Sequence, residues 1–146
     1  MKLPYNELKI IAKEYNINLM ILFGSYLTKN FTQDSDIDIA IQAENIKLIN
    51  QHKLEILNKI VAAFNYQEID LVLLNHADPL LKLQIAENGR LIYQKQDYLF
   101  NNFKVQAMNE HQDAKKFYAL DEKFIENYLK KGDKDGKSRV NPPQVD

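Results

Sequence analysis

The hydrophobic positions along the chain change period several times. Leu8, Ile11, Ala12 and Tyr15 recur at helical spacing behind Pro4, which predicts an amphipathic helix over about residues 4–16 with the proline in its first turn. Ile17-Asn18-Leu19-Met20-Ile21-Leu22-Phe23 is a short apolar run halted by Gly24, the signature of a buried strand. The stretch from Tyr26 to Ser35 is polar and reads as a turn of helix followed by a loop. Ser35 to Ile41 alternates polar and apolar, a second strand. Residues 46–64 read as one helix carrying Leu54, Leu57, Ile60, Val61 and Phe64 on a common face. Glu68 to Leu74 predicts a third strand, and Leu91-Ile92-Tyr93 a short fourth one. Between them, Pro79 opens a helix that Gly89 closes. From Asp97 to Lys131 the pattern is helical again, with Leu99, Phe103, Phe117, Leu120 and Phe124 as apolar anchors.

This order of elements predicts an α/β (α+β) domain, a small mixed sheet flanked by helices. The expected organisation is a core domain over residues 1–96, a helical appendage over 97–131 and a disordered tail over 132–146. The tail holds two of the four glycines and two of the four prolines, with Val140 and Val145 its only sizeable apolar residues.

Composition narrows the function. A chain of 146 residues has enough material for a core without disulfides or a structural metal. Nineteen basic and twenty acidic side chains give a net charge of -1, which argues against binding nucleic acid through bulk positive charge. Cysteine is absent, so thiol catalysis and cysteine-ligated zinc are excluded, and a reducing cytoplasm suits the chain. The N-terminal segment lacks the continuous apolar core of a signal peptide, and no apolar run reaches the roughly 20 residues of a membrane helix.

The acidic strand carries the candidate chemistry. Asp36 and Asp38 are two apart, so their carboxylates project from one face about 6.6 Å apart along the strand, while Ile37, Ile39 and Ile41 face a core. A lone Asp-x-Asp is common on a solvated outer face. In the third strand, however, Asp70 interrupts an apolar run, where aspartate is a poor strand former. If the two strands are neighbours, Asp70 joins the pair. Three gathered carboxylates repel one another and their pKa values rise, a penalty that a divalent cation removes. An all-oxygen site suits Mg²⁺ or Mn²⁺, and two such ions can clamp an in-line phosphoryl displacement. Gly24-Ser25 ends the first strand, where a glycine lets backbone approach a phosphate closely.

Gly24-Ser25, ten intervening residues, then Asp36-x-Asp38, with Asp70 on a later strand, closely resembles the signature of the DNA polymerase β-like nucleotidyltransferases. The small size and the run from Glu68 to Tyr93 resemble their minimal nucleotidyltransferase group, the antitoxins of HEPN/MNT toxin–antitoxin systems. The resemblance covers about residues 5–130. It implies a mixed sheet with the active site on an exposed sheet face. It also implies an activity: AMP transfer from ATP, with two Mg²⁺ ions, to a tyrosine of a HEPN-family ribonuclease toxin. Asp36 and Asp38 would hold the metal bound to the triphosphate. Asp70 would complete the second metal site and assist deprotonation of the tyrosine. Gly24 and Ser25 would cradle the phosphates, and Ser35 would add a phosphate contact. Many relatives follow Gly-Ser with arginines and a further glycine. Here Tyr26-Leu27-Thr28-Lys29-Asn30 stands instead, and Lys29 is the one cation of that stretch.

His52, His76 and His111 share no ligand spacing and read as surface residues. Two rival functions use the same sequence: a small-molecule nucleotidyltransferase of the aminoglycoside-modifying kind, and an antitoxin that acts by binding alone.

Overall fold

The computed structural model describes residues 2–28, 31–32 and 34–116. Helix α1 spans Tyr5–Glu14 and buries Leu8, Ile11 and Ala12. Pro4 is its N-cap, one step outside the first turn that the sequence predicts for it. Asn16, at a left-handed φ of 54°, turns the chain directly into β1, Ile17–Phe23. A short 3₁₀ turn, Gly24–Leu27, and a loop lead to β2, Ile37–Ala43.

The helix expected over 46–64 is two helices. α2, Ile46–Gln51, is capped by Asn45, whose side chain accepts from the Leu48 N–H at 3.0 Å. His52 leaves helical geometry at φ -114°, and α3, Lys53–Phe64, restarts from its carbonyl. The buried stripe is Ile49, Ile56, Ile60 and Phe64. Ile60 and Phe64 of the predicted face are buried, but the face is rotated from the predicted one: Leu57 and Val61 lie half-buried on its flank, and Leu54 is 71% exposed.

β3, Ile69–Leu73, is followed by α4, Pro79–Asn88, capped by the Asp78 carboxylate on the Leu81 N–H at 2.8 Å. β4, Arg90–Gln94, completes the sheet, and helix α5 follows over 99–116. The remainder of the expected appendage, with Phe117, Leu120 and Phe124, and the expected tail lie outside the described residues.

The sheet order is β3-β2-β1-β4, with β1 antiparallel to β2 and β4, and β2 parallel to β3. A parallel pair needs a crossover, and α2 and α3 supply it. One sheet face buries Met20, Leu22, Ile37, Ile39 and Ile41 against α1 to α3. The other buries Leu19, Ile21 and Ala40 against Ile85 of α4 and Phe103 and Ala107 of α5. Each isoleucine of β2 contributes roughly 2 kcal/mol by its burial. A one-residue slip of β2 would send Asp38 into that core, so its register is strongly specified.

Candidate functional site

β2 presents Asp38, Ala40 and Gln42 to the face that α4 and α5 partly cover. Ala40 is buried there, whereas Asp38, at the head of the strand, is only half-buried. The candidate site is therefore the open end of one sheet face rather than a wholly exposed face, because α5 closes the other end.

Three backbone features converge on Asp38. The parallel register pairs Asp38 with Asp70 of β3. The antiparallel register pairs it with Phe23, the last residue of β1. Beyond Phe23 the chain turns through Gly24 at a φ of 82°, a left-handed conformation that side chains rarely adopt. A β-carbon at Gly24 would fall 2.0 Å from Asp38 Oδ2. The glycine thus makes room for the carboxylate.

Asp36 lies one residue before β2 and is exposed, as is Asp70. The Asp38 carboxyl is pushed up from 3.8 to about 6, first by desolvation and then by the negative charges of Asp70 and Asp36. Register brings Asp70 beside Asp38, and Asp36 precedes the strand; their charges add to burial in raising the Asp38 pKa, a repulsion that a cation would relieve. Its donors are all carboxylate oxygens, a set that fits a hard divalent ion. Among the described residues no three histidine, aspartate or glutamate side chains form a ready-made metal cage, so closing round an ion requires side-chain rotation.

Ser25 lies in the 3₁₀ turn, and its carbonyl accepts from both the N–H and the hydroxyl of Thr28, each at 2.9 Å. These bonds close the turn on itself. The Ser35 hydroxyl accepts from the Thr32 N–H at 3.1 Å and lies 3.2 Å from Thr32 Oγ1. Its side chain therefore closes the loop that delivers Asp36. Lys29 lies outside the described residues.

The sequence reading missed Tyr66. Its hydroxyl donates to the Ser35 carbonyl at 2.5 Å, and its ring packs at a tilt of 46° beside Phe31, which meets Tyr26 edge-on. Nothing in local pattern signals this contact, because Tyr66 sits in a connection 31 residues along the chain from its partner.

Among the described residues the histidines join no metal-ligating group. His52 pairs with Glu55 at 2.9 Å on the α3 surface, far from the aspartates along the chain. The Glu55 carboxyl is held below its ordinary value chiefly by that hydrogen bond. Two adjoining cavities of about 340 and 190 Å³ lie at the α5-covered end of the face, lined in common by Gln42, Asn75, Phe103 and Gln106, and contain none of the aspartates. No helix among the described residues is long and apolar enough to cross a membrane.

Residues 6–98 match the family described as Polymerase beta, Nucleotidyltransferase. Two curated relatives are both named protein adenylyltransferase MntA. The one from Aphanizomenon flos-aquae is 28% identical over 137 residues, covering 86% of this chain and 89% of its own length. The one from Shewanella oneidensis is 32% identical over 108 residues, covering 73% and 76%. Among solved structures, a toxin–antitoxin with AMP-PNP superposes with a TM-score of 0.61 at 26% identity, covering 81% of this chain and 96% of that one. A tri-AMPylated Shewanella oneidensis HEPN toxin in complex with MNT antitoxin matches with a TM-score of 0.56 at 25% identity, covering 82% and 94%.

Proposed function

The chain belongs to the polymerase beta nucleotidyltransferase family and, within it, groups with the MntA protein adenylyltransferases, and from that membership we propose that it transfers AMP from ATP to a tyrosine of a cognate HEPN toxin and so neutralises it. The observation that carries this reading is the convergence on Asp38: Asp70 stands in register beside it, and Gly24 is left-handed against it.

In the proposed reaction the tyrosine oxygen bonds to the α-phosphorus of ATP. The bond from that phosphorus to the α–β bridging oxygen breaks, and pyrophosphate leaves with the electron pair. Asp70, exposed at the head of β3, assists removal of the phenolic proton. Gly24 and Ser25 bring backbone against the triphosphate, with Ser35 holding the loop that precedes the acidic pair. Asp36 and Asp38 would hold Mg²⁺ with the nucleotide, and Asp70 would complete a second site. When bound, such ions neutralise the triphosphate and align it for in-line displacement. Little covalent work then falls to the protein, whose contribution is position and charge. The ATP requirement and the absence of cysteine suit the cytoplasm.

The direct test is co-expression with the HEPN partner, followed by mass spectrometry. One or more AMP additions on a partner tyrosine are expected, and none with Asp36→Asn. An unmodified partner together with adenylylation of a free aminoglycoside would replace this reading with the small-molecule one.

A further inference from the structure

Asp36 is the one member of the trio that no strand holds, yet it must be placed as firmly as Asp38 to share a ligand with it. Two bonds flank it. On its C-terminal side the Ile37 N–H donates to the Glu68 carbonyl at 2.8 Å, the first bond between β2 and the β3 segment. On its N-terminal side the Ser35 carbonyl receives the Tyr66 hydroxyl. Both partners come from the short connection between α3 and β3. That connection starts at Asn65, a left-handed residue at φ 52°, and runs on into Asp70.

We propose that Tyr66 is a positioning residue for nucleotidyl transfer: its hydroxyl fixes the backbone of Asp36 relative to Asp70, by tying the entrance of β2 to the entrance of β3. This rests on the reading that Asp36 and Asp38 hold a divalent cation. The geometry suits the role. The Tyr66 ring is half-buried, packed at 6.0 Å from Phe31, so the hydroxyl is delivered from a fixed base rather than a mobile arm. Phe31 in turn stands 5.0 Å from Tyr26 in the turn that follows Gly24-Ser25. One aromatic row therefore joins the Gly-Ser turn, the loop before Asp36 and the entrance of β3. Burial and the nearby charges of Glu68, Asp36 and Asp34 raise the Tyr66 pKa, so its hydroxyl stays a proton donor at neutral pH.

The test is Tyr66→Phe in the full chain, which keeps the ring and removes the donor. Three measurements accompany it: Mn²⁺ binding by electron paramagnetic resonance with ATP present and no acceptor, the transfer kinetics, and amide exchange of Ile37 by NMR in the metal-free protein. The expected result is a several-fold weaker Mn²⁺ affinity, a kcat lowered about tenfold, an unchanged KM for the acceptor and faster exchange at Ile37, since small misplacement of catalytic groups is costly. Wild-type Mn²⁺ affinity and kcat in the variant overturn the proposal. Activity lost only in proportion to unfolded protein, with normal Mn²⁺ binding by the folded fraction, also overturns it and leaves Tyr66 a packing residue. If Tyr66→Phe does not fold, Phe31→Leu decides: it keeps the hydroxyl but loosens its base, and weaker Mn²⁺ binding supports the proposal while unchanged binding sinks it. Absence of Mn²⁺ binding by the wild-type chain defeats the parent cation reading, and this inference with it.

Discussion

Gly24 and Asp38 compete for one volume: a β-carbon on the former would lie 2.0 Å from Oδ2 of the latter and 3.0 Å from its Cγ. The two residues are brought together by the pairing of Phe23 with Asp38 at the end of the β1–β2 ladder. A turn glycine and a candidate site carboxylate are thus one steric unit, and substitution of either is felt by the other.

Gly24→Ala should therefore hurt activity more than stability. The left-handed φ costs an alanine about 1–2 kcal/mol, while the Asp38 side chain can swing aside. Swinging aside displaces the carboxylate from its place between the Gly24 turn and Asp70. A modest fall in melting temperature, with transfer lowered by at least ~10²-fold, is the expected outcome of thermal unfolding and kinetic assays.

Asp38 should be a site where function opposes stability. Its folded pKa of about 6 lies above the ordinary 3.8, so the native state binds this proton more tightly than the unfolded chain. Stability of the metal-free protein is then lowest above pH 6 and rises as the pH falls towards 4. Solvent screening at this half-buried group reduces the gain to about 1 kcal/mol. Asp38→Asn should capture the same gain at neutral pH while abolishing transfer, and should flatten this part of the pH profile. Denaturant titrations in chelator, with and without the substitution, measure both effects. Because acid release elsewhere also contributes, the difference between the two profiles is the quantity to read.

The coupling between Asp38 and Asp70 is measurable directly. Removing the Asp70 charge removes the second-largest cause of the Asp38 shift, so Asp70→Asn should move the Asp38 midpoint downward in an NMR titration. The same substitution should lower transfer by at least ~10²-fold. An unmoved midpoint would separate the two carboxylates energetically.

Transfer should stop in excess chelator and return with Mg²⁺ or Mn²⁺, since three carboxylates cannot host a polyanion without intervening cations. Asp36→Asn and Asp38→Asn should each remove that dependence together with the activity. Calorimetry of ATP binding with and without the metal checks the binding step apart from turnover.

Gly89→Ala provides a structural control. Here the φ is ordinary, at -72°, but a β-carbon would meet the Ile85 carbonyl oxygen at 2.4 Å and Ile21 Cγ2 at 2.6 Å. Neither a backbone carbonyl nor a packed core methyl yields easily, so about 1–3 kcal/mol of stability should be lost. Transfer per folded molecule should fall far less than in Gly24→Ala, because β1 stands between Gly89 and the aspartates of β2 and β3.

Local pattern was enough for β1, whose limits Ile17 and Phe23 follow from an apolar run stopped by glycine, and for α4, bounded by Pro79 and Gly89. It was enough to mark Asp36, Asp38 and Asp70 as candidates, because a carboxylate set into an apolar strand conflicts with its own surroundings. Pattern could not fix the rotation of the buried face of residues 46–64, since Leu54 and Ile56 are equally hydrophobic and only the sheet beneath tells them apart. Nor could it show that Gly24 is shaped by Asp38, or that Tyr66 holds Ser35. Those relationships arise when β1, β2 and β3 are laid side by side, which joins residues 14 and 31 positions apart. Periodicity reports what one element buries; the neighbours that share a site are decided by strand order and register, and these depend on the packing of the whole sheet.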